Sequence, residues 1–166
     1  MDNSTTTAKP NHAEQNATAW MGQMSEMLDR LTIADCPHKD YEAKDGGPNV
    51  CDACEAELDD DGCAIETIDA DDARDAILES PLSVGVRASG FHAVGETPEP
   101  DEFEILLTTG GPALRIIGNL DRYNRPVSCR LEYQDWGTPW TYFAGFSDES
   151  RAILQPFAEC FYFGEG

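Results

Sequence analysis

Between residues 103 and 134 the side chains alternate apolar and polar with a period of two, and two short links interrupt the pattern. Strand-like runs cover 103–109, 113–120 and 127–134. Gly110, Gly111 and Pro112 separate the first run from the second. The polar link from Asp121 through Arg125 to Pro126 separates the second from the third. In the second run Leu114, Ile116 and Gly118 alternate with Arg115 and Ile117. In the third, Val127, Cys129, Leu131 and Tyr133 alternate with Ser128, Arg130, Glu132 and Gln134. This is the pattern of a sheet with one buried face and one wet face. Links this short favour hairpins over crossovers. A fourth run, 82–88, aligns Leu82, Val84 and Val86 on one side. The expected fold is α+β: a three- or four-stranded antiparallel sheet over about residues 82–143, packed by N-terminal, middle and C-terminal helices, with a small Cys-rich knuckle.

Helical periodicity flanks the sheet. Over 13–31, Trp20, Met24, Met27, Leu28 and Leu31 recur at spacings of three and four. That stripe suits packing on the sheet or on a second copy in a homodimer, and its methionines suit docking to varied partners. A short helix is expected over 71–80, capped by Asp69 or Asp71, with Ala73, Ala76 and Ile77 inward and Asp72, Asp75 and Glu79 outward. A third, over 148–159, starts at Ser147 and turns Ile153, Leu154, Phe157 and Cys160 inward, with Pro156 bending or shortening it. The chain divides accordingly into a flexible tail (1–11), an acidic helical region with the knuckle (12–80, knuckle 36–63), and the sheet with its C-terminal helix (81–166).

Cys51 and Cys54 form a Cys-x2-Cys pair, and Cys36 and His38 lie upstream across a loop that Gly46, Gly47 and Pro48 can fold back. Two thiolates at that spacing hold one tetrahedral ion through a tight turn. Cys36, His38, Cys51 and Cys54 complete a four-ligand set, with Cys63 a rival for the place of His38. Such a set is structural and binds zinc without an open position for water. The competing reading is a group of unrelated reduced cysteines.

Charge is the other strong feature. Asp and Glu number 32 against 11 Lys and Arg, a formal charge of −21. Of these acids 20 lie within residues 1–80. A field of this sign repels nucleic acid and anionic membranes and favours cationic protein surfaces. Salt adaptation would produce the same composition. No run approaches the length of a membrane span, and no basic-then-apolar leader opens the chain, so the sequence predicts a cytoplasmic protein. The carboxylates with helical or clustered spacing are Asp59, Asp60, Asp61, Asp69, Asp71, Asp72, Asp75 and Glu79. A second patch gathers Glu99, Asp101, Glu102 and Glu104. The acids after Asp59 lack the alternation and terminal Glu of a calcium loop. No Ser, His or Cys arrangement suggests catalysis, and His92 stands alone.

Tyr133, Trp136, Trp140, Tyr142, Phe143 and Phe146 crowd the stretch after the third strand, where they either seal the sheet or present anchors such as Trp136 and Trp140 to a partner. The run 102–141, above all LEYQDWGTPWT over 131–141, resembles small acidic proteins carried by phages, plasmids and other mobile elements. Members of that wider class include anti-restriction and anti-CRISPR inhibitors that imitate DNA. The resemblance implies a non-enzymatic inhibitor whose carboxylates occupy a cationic nucleic-acid-binding surface of a host defence complex. The alternative is a zinc-stabilised protein–protein interaction module that binds through the aromatic patch or the Met-rich helix.

Overall fold

The structure, a computed structural model, describes residues 12–38, 41–42, 49–59, 62, 64–65, 68–143 and 148–164. Its elements in chain order are α1 (His12–Asp35), β1 (Tyr41–Glu42), β2 (Asn49–Cys51), β3 (Glu57–Leu58), α2 (Ala70–Leu78), β4 (Ser83–Arg87), β5 (Glu102–Thr108), β6 (Ala113–Leu120), β7 (Pro126–Gln134), β8 (Thr141–Tyr142) and α3 (Asp148–Glu159). The fold is α+β, with three helices flanking an antiparallel sheet and a separate small sheet at the Cys/His cluster.

The main sheet is a meander in the order β4-β5-β6-β7-β8, so it has five strands where three or four were expected. The extra strand is Thr141–Tyr142, too short for a period-two signal, and it pairs with Glu132 and Tyr133. Register places Phe103, Ile105 and Leu107 beside Leu114, Ile116 and Leu131 on one face. Leu154, Phe157 and Ala158 of α3 join that core, as do Ala17, Met21 and Met24 of α1, Ile77 of α2, and Phe161 and Phe163 of the tail. Each large apolar side chain buried there contributes about 1.5–3 kcal/mol. Asp121 shapes the β6–β7 link by accepting from the backbone N–H groups of Tyr123 (2.7 Å) and Arg125 (3.0 Å). The Arg125 N–H, ahead of the other causes, holds the Asp121 carboxyl below its usual range. In the β5–β6 turn Gly110 and Gly111 take positive φ, and the Gly111–Pro112 peptide is cis.

Several local expectations need correction. Helix α1 runs to Asp35 instead of ending near residue 31, because its last turn packs beside α2, where Arg74 pairs with Asp35 at 3.3 Å. Pro37 then stops it, since the residue before a proline avoids helical geometry. The Met-rich stripe faces the core, as packing on the sheet requires: Met21 and Met24 are buried, and Trp20, Met27, Leu28 and Leu31 are half-buried against the core cluster. Ala76 is exposed, because α2 touches its neighbour only along the Ala73–Ile77 line. Pro156 lies inside α3 without shortening it, and the carbonyl it cannot bond belongs to the exposed Ala152. Strand β4 buries neither face, because α1 and α3 lie over β6 and β7 and stop short of the sheet edge. Val127 is exposed because the register shifts there: Asn119 pairs with Ser128 and Leu120 with Pro126, so Val127 is the unpaired residue of a bulge and Pro126 is buried in its place. Ser147 and Phe146 lie outside the described residues.

Candidate metal centre

Four side chains converge where α1 ends. Cys36 follows the last helical residue, its N–H bonded to the Ile33 carbonyl at 3.3 Å. His38, two residues on, has φ 47°, a left-handed geometry that turns the chain back sharply. Cys51 closes β2, and its carbonyl accepts from the Glu55 N–H at 2.9 Å, wrapping residues 51–54 into a tight turn. Glu55 itself takes φ 60° at the exit. The small sheet β1-β2-β3 frames this turn, with Tyr41 opposite Cys51 and Asn49 opposite Leu58.

The ligand atoms of Cys36, His38, Cys51 and Cys54 all lie within 4.8 Å of one another. Cys36 Sγ is 3.6 Å from Cys51 Sγ, and Cys54 Sγ is 3.4 Å from His38 Nδ1. A tetrahedral zinc with Zn–S of about 2.3 Å and Zn–N of about 2.0 Å needs S···S edges of about 3.8 Å and S···N edges of about 3.5 Å. The two short edges of the cluster come within about 0.2 Å of these values, and no pair of ligand atoms is more than 4.8 Å apart, so the four need close in only a little around an ion. Three thiols and one imidazole are soft and borderline donors, suited to zinc and unsuited to calcium or magnesium. The cluster is a Cys3His metal site of structural type, with four protein ligands and no position left for a substrate.

Without metal the cluster is electrostatically uneven. The hydrogen bond with His38, followed by backbone N–H groups of Ala53 and Cys54, lowers the Cys51 thiol to about 6. Burial pushes Cys54 up to about 11. A turn that aims N–H groups at one sulfur already favours the thiolate a metal requires. The surrounding segment offers little else to hold it. Among the described residues between 36 and 65, only Cys51, Ala56 and Leu58 are buried apolar groups. The ligands therefore do for this region what a hydrophobic core does for the sheet. Cys63, the rival ligand, lies outside the described residues.

The expected partner-binding residues are carried by several elements. Asp71, Asp72, Asp75 and Glu79 are exposed on or just after α2, and Asp59 is exposed beside the small sheet. Asp60 and Asp61 lie outside the described residues. Asp69 is the α2 cap, accepting from the N–H groups of Asp71 (2.9 Å) and Asp72 (3.1 Å). Glu99 is exposed in the β4–β5 loop, whereas Asp101 accepts hydrogen bonds from the Ser89 hydroxyl and N–H. The hydroxyl is the main reason its carboxyl stays below the usual range. Glu102 pairs with Arg87, and Glu104 pairs with Arg115 at 2.7 Å. Two of the four acids of the second patch, Glu102 and Glu104, are thus engaged with cations of their own sheet.

The aromatic cluster also divides. Tyr133 and Phe143 pack against the core, and Trp140 lies under the Arg115 guanidinium, 4.1 Å from its carbon. Trp136 is 79% exposed, and a Cβ on Gly111 would collide with its indole. One edge of the ring is therefore propped on the β5–β6 turn while the remainder faces solvent.

Sequence reasoning missed the polar network on the wet face of the sheet. Arg115 reaches Glu104 and Glu132, the latter at 2.8 Å, and Arg130 reaches Glu132 at 2.9 Å. Glu132 is only 9% exposed. Alternation had placed Arg115, Arg130 and Glu132 on polar faces, but only the pairing of Arg115 with Glu132 across β6 and β7 makes them partners. No helix among the described residues is long and apolar enough to cross a membrane. Comparison with protein-family models, curated proteins and solved structures finds no match for the chain.

Proposed function

We propose that this chain is a non-enzymatic protein–protein interaction module, stabilised by zinc at the Cys3His centre and anchored to its partner by the turn that carries Trp136. The observation that carries this reading is the closure of the centre: its four ligands leave no coordination position for chemistry. Trp136 supports the interaction half, since a rigid indole propped on Gly111 and open to solvent is the residue type that dominates binding hot spots.

A second reading is favoured by one observation. Asp71, Asp72, Asp75 and Glu79 are exposed and enter no ion pair among the described residues, as carboxylates imitating DNA phosphates would. In that reading the chain is an anti-restriction or anti-CRISPR type inhibitor that occupies a cationic nucleic-acid groove of a host defence complex.

The test is capture from a lysate of the source cell, followed by affinity measurement on the retained protein. The module reading expects Trp136→Ala to weaken binding by about 30-fold or more, the scale of a hot spot, with zinc content and melting temperature unchanged. The mimic reading expects the quadruple neutralisation of Asp71, Asp72, Asp75 and Glu79 to abolish binding, and expects wild-type binding to fall steeply with salt. If a folded protein lost affinity in neither variant, both readings would fail.

A further inference from the structure

The outer edge of β4 goes beyond the interaction surface proposed above. This strand ends the five-stranded sheet, and no described strand pairs with its far side. All five of its residues are exposed, with Val84 at 40% and Val86 at 47%, although both valines point to the face that carries the core elsewhere. Leu82, just before the strand, is exposed as well. Edge strands are normally blunted by lysine, proline or a bulge, because free N–H and C=O groups template pairing with another chain. The strand Ser83–Arg87 contains neither Lys nor Pro and pairs in unbroken register with β5. Its one charge, Arg87, is already paired with Glu102.

Backbone direction supports the same point. The Arg87 carbonyl accepts from the Asp101 N–H on the β5 side. Polar groups alternate in direction along a strand, so Ser83, Gly85 and Arg87 turn toward β5 while the N–H and C=O of Val84 and Val86 turn outward. We infer that the edge strand Ser83–Arg87 pairs antiparallel with the same strand of a second copy, about a two-fold axis at Gly85, making a homodimer with a continuous sheet.

The sequence of the strand is self-complementary about that centre. Gly85 meets the partner's Gly85, Val84 meets the partner's Val86, and Arg87 meets the partner's Ser83. Four valines then gather on one face, and no like charges stand opposite each other. Charge also selects the place. Residues 80–95 contain no Asp or Glu, in a chain of net charge −21. A copy this acidic can approach another closely only where acid does not meet acid. On the wet face, a Cβ on Gly85 would meet nothing within 4 Å, so no side chain of this copy blocks the approach of the second strand there. Attraction at the seam therefore comes from the valines and the backbone ladder, while the remainder of each molecule repels.

The experiment is sedimentation of the full chain over a range of concentrations, at about 0.1 M salt, where screening reaches about 10 Å, and at about 1 M, where it reaches about 3 Å. The expected result is a reversible dimer that strengthens with salt, the reverse of the salt response of a cationic partner. Val84→Lys with Val86→Lys, both at exposed positions, should abolish it. Gly85→Cys should cross-link under mild oxidation, because the axis sets the two Cα atoms about 4.5–5.5 Å apart, while Ser83→Cys should not. A monomer at every concentration and salt, or a dimer indifferent to the valine substitutions, would overturn the inference. So would cross-linking equally efficient at Ser83 and Gly85. None of these variants touches Trp136 or the metal ligands, so failure here leaves the interaction-module reading standing.

Discussion

Cys36 Sγ lies 3.6 Å from Cys51 Sγ although the two residues are 15 apart in sequence. The contact ties the end of α1 to the small sheet, and a zinc ion would convert it into a cross-link. The purified chain is expected to carry about one zinc, the stoichiometry of one closed four-ligand site. Chelation, or Cys54→Ser, should release the metal and lower the melting temperature, while far-ultraviolet circular dichroism retains the signal of the main sheet. A metal-free protein of unchanged stability would refute the site.

The same centre sets a pH response. In the metal-free state the Cys51 thiol falls from 9.0 to about 6 on folding. A depressed acid contributes stability that is present above its unfolded value and lost as pH falls through its folded value. Metal-free protein should therefore lose that increment between about pH 9 and about pH 6. The metal-loaded form should release zinc on further acidification, as protons compete for the ligands. Melting temperatures across pH, with and without chelator, separate the two effects.

Arg115 holds the least exposed carboxylate in the described structure. Arg115→Ala would leave Glu132 with Arg130 alone and uncover Trp140. Breaking one side of a largely buried ion pair should cost about 2–3 kcal/mol, measurable by urea denaturation. Glu132→Gln, which keeps the shape and removes the charge, should cost less. Equal and negligible losses would show that solvent replaces these bonds.

Asp69 accounts for the start of α2. Asp69→Ala should cost about 1 kcal/mol, the usual loss when an N-cap is removed, while Asp69→Asn should retain most of it. Hydrogen exchange at the N–H groups of Asp71 and Asp72, which bond its side chain, reads the effect directly.

Two strand glycines should behave oppositely. A Cβ on Gly118 would run into the Ser128 carbonyl and lie 2.7 Å from the Phe103 ring. Gly118→Ala should therefore destabilise by about 2–3 kcal/mol or more, as overpacking does. On Gly85 a Cβ meets nothing within 4 Å, so Gly85→Ala should be close to neutral in stability. Denaturant midpoints for the pair give the comparison.

The metal ligands and the central hairpins were legible because both signals are local. Cys51 and Cys54 share one turn, and β5, β6 and β7 each carry their own period of two across short links. Helical spacing made Asp69 legible as a cap and Asp72, Asp75 and Glu79 as an outer face, whereas the second patch was legible only as composition: nothing near Glu102 in the chain shows that it is paired with Arg87. The aromatic stretch misled in the same way, since Tyr133 and Trp136 are three residues apart but one meets the core and the other water.

What the sequence determined by itself was the four longer strands of the main sheet, their order along the chain and the donors available to a metal, since backbone periodicity and ligand chemistry depend on near neighbours. The two- and three-residue strands β1, β2, β3 and β8 carry no such signal. Tertiary structure alone decided which face each strand presents, which charges cancel and which edge stays open. Those depend on where α1 and α3 come to rest. The two helices cover β6 and β7 and end before β4, so an identical alternation yields a buried Ile105 on one strand and an exposed Val84 beside it.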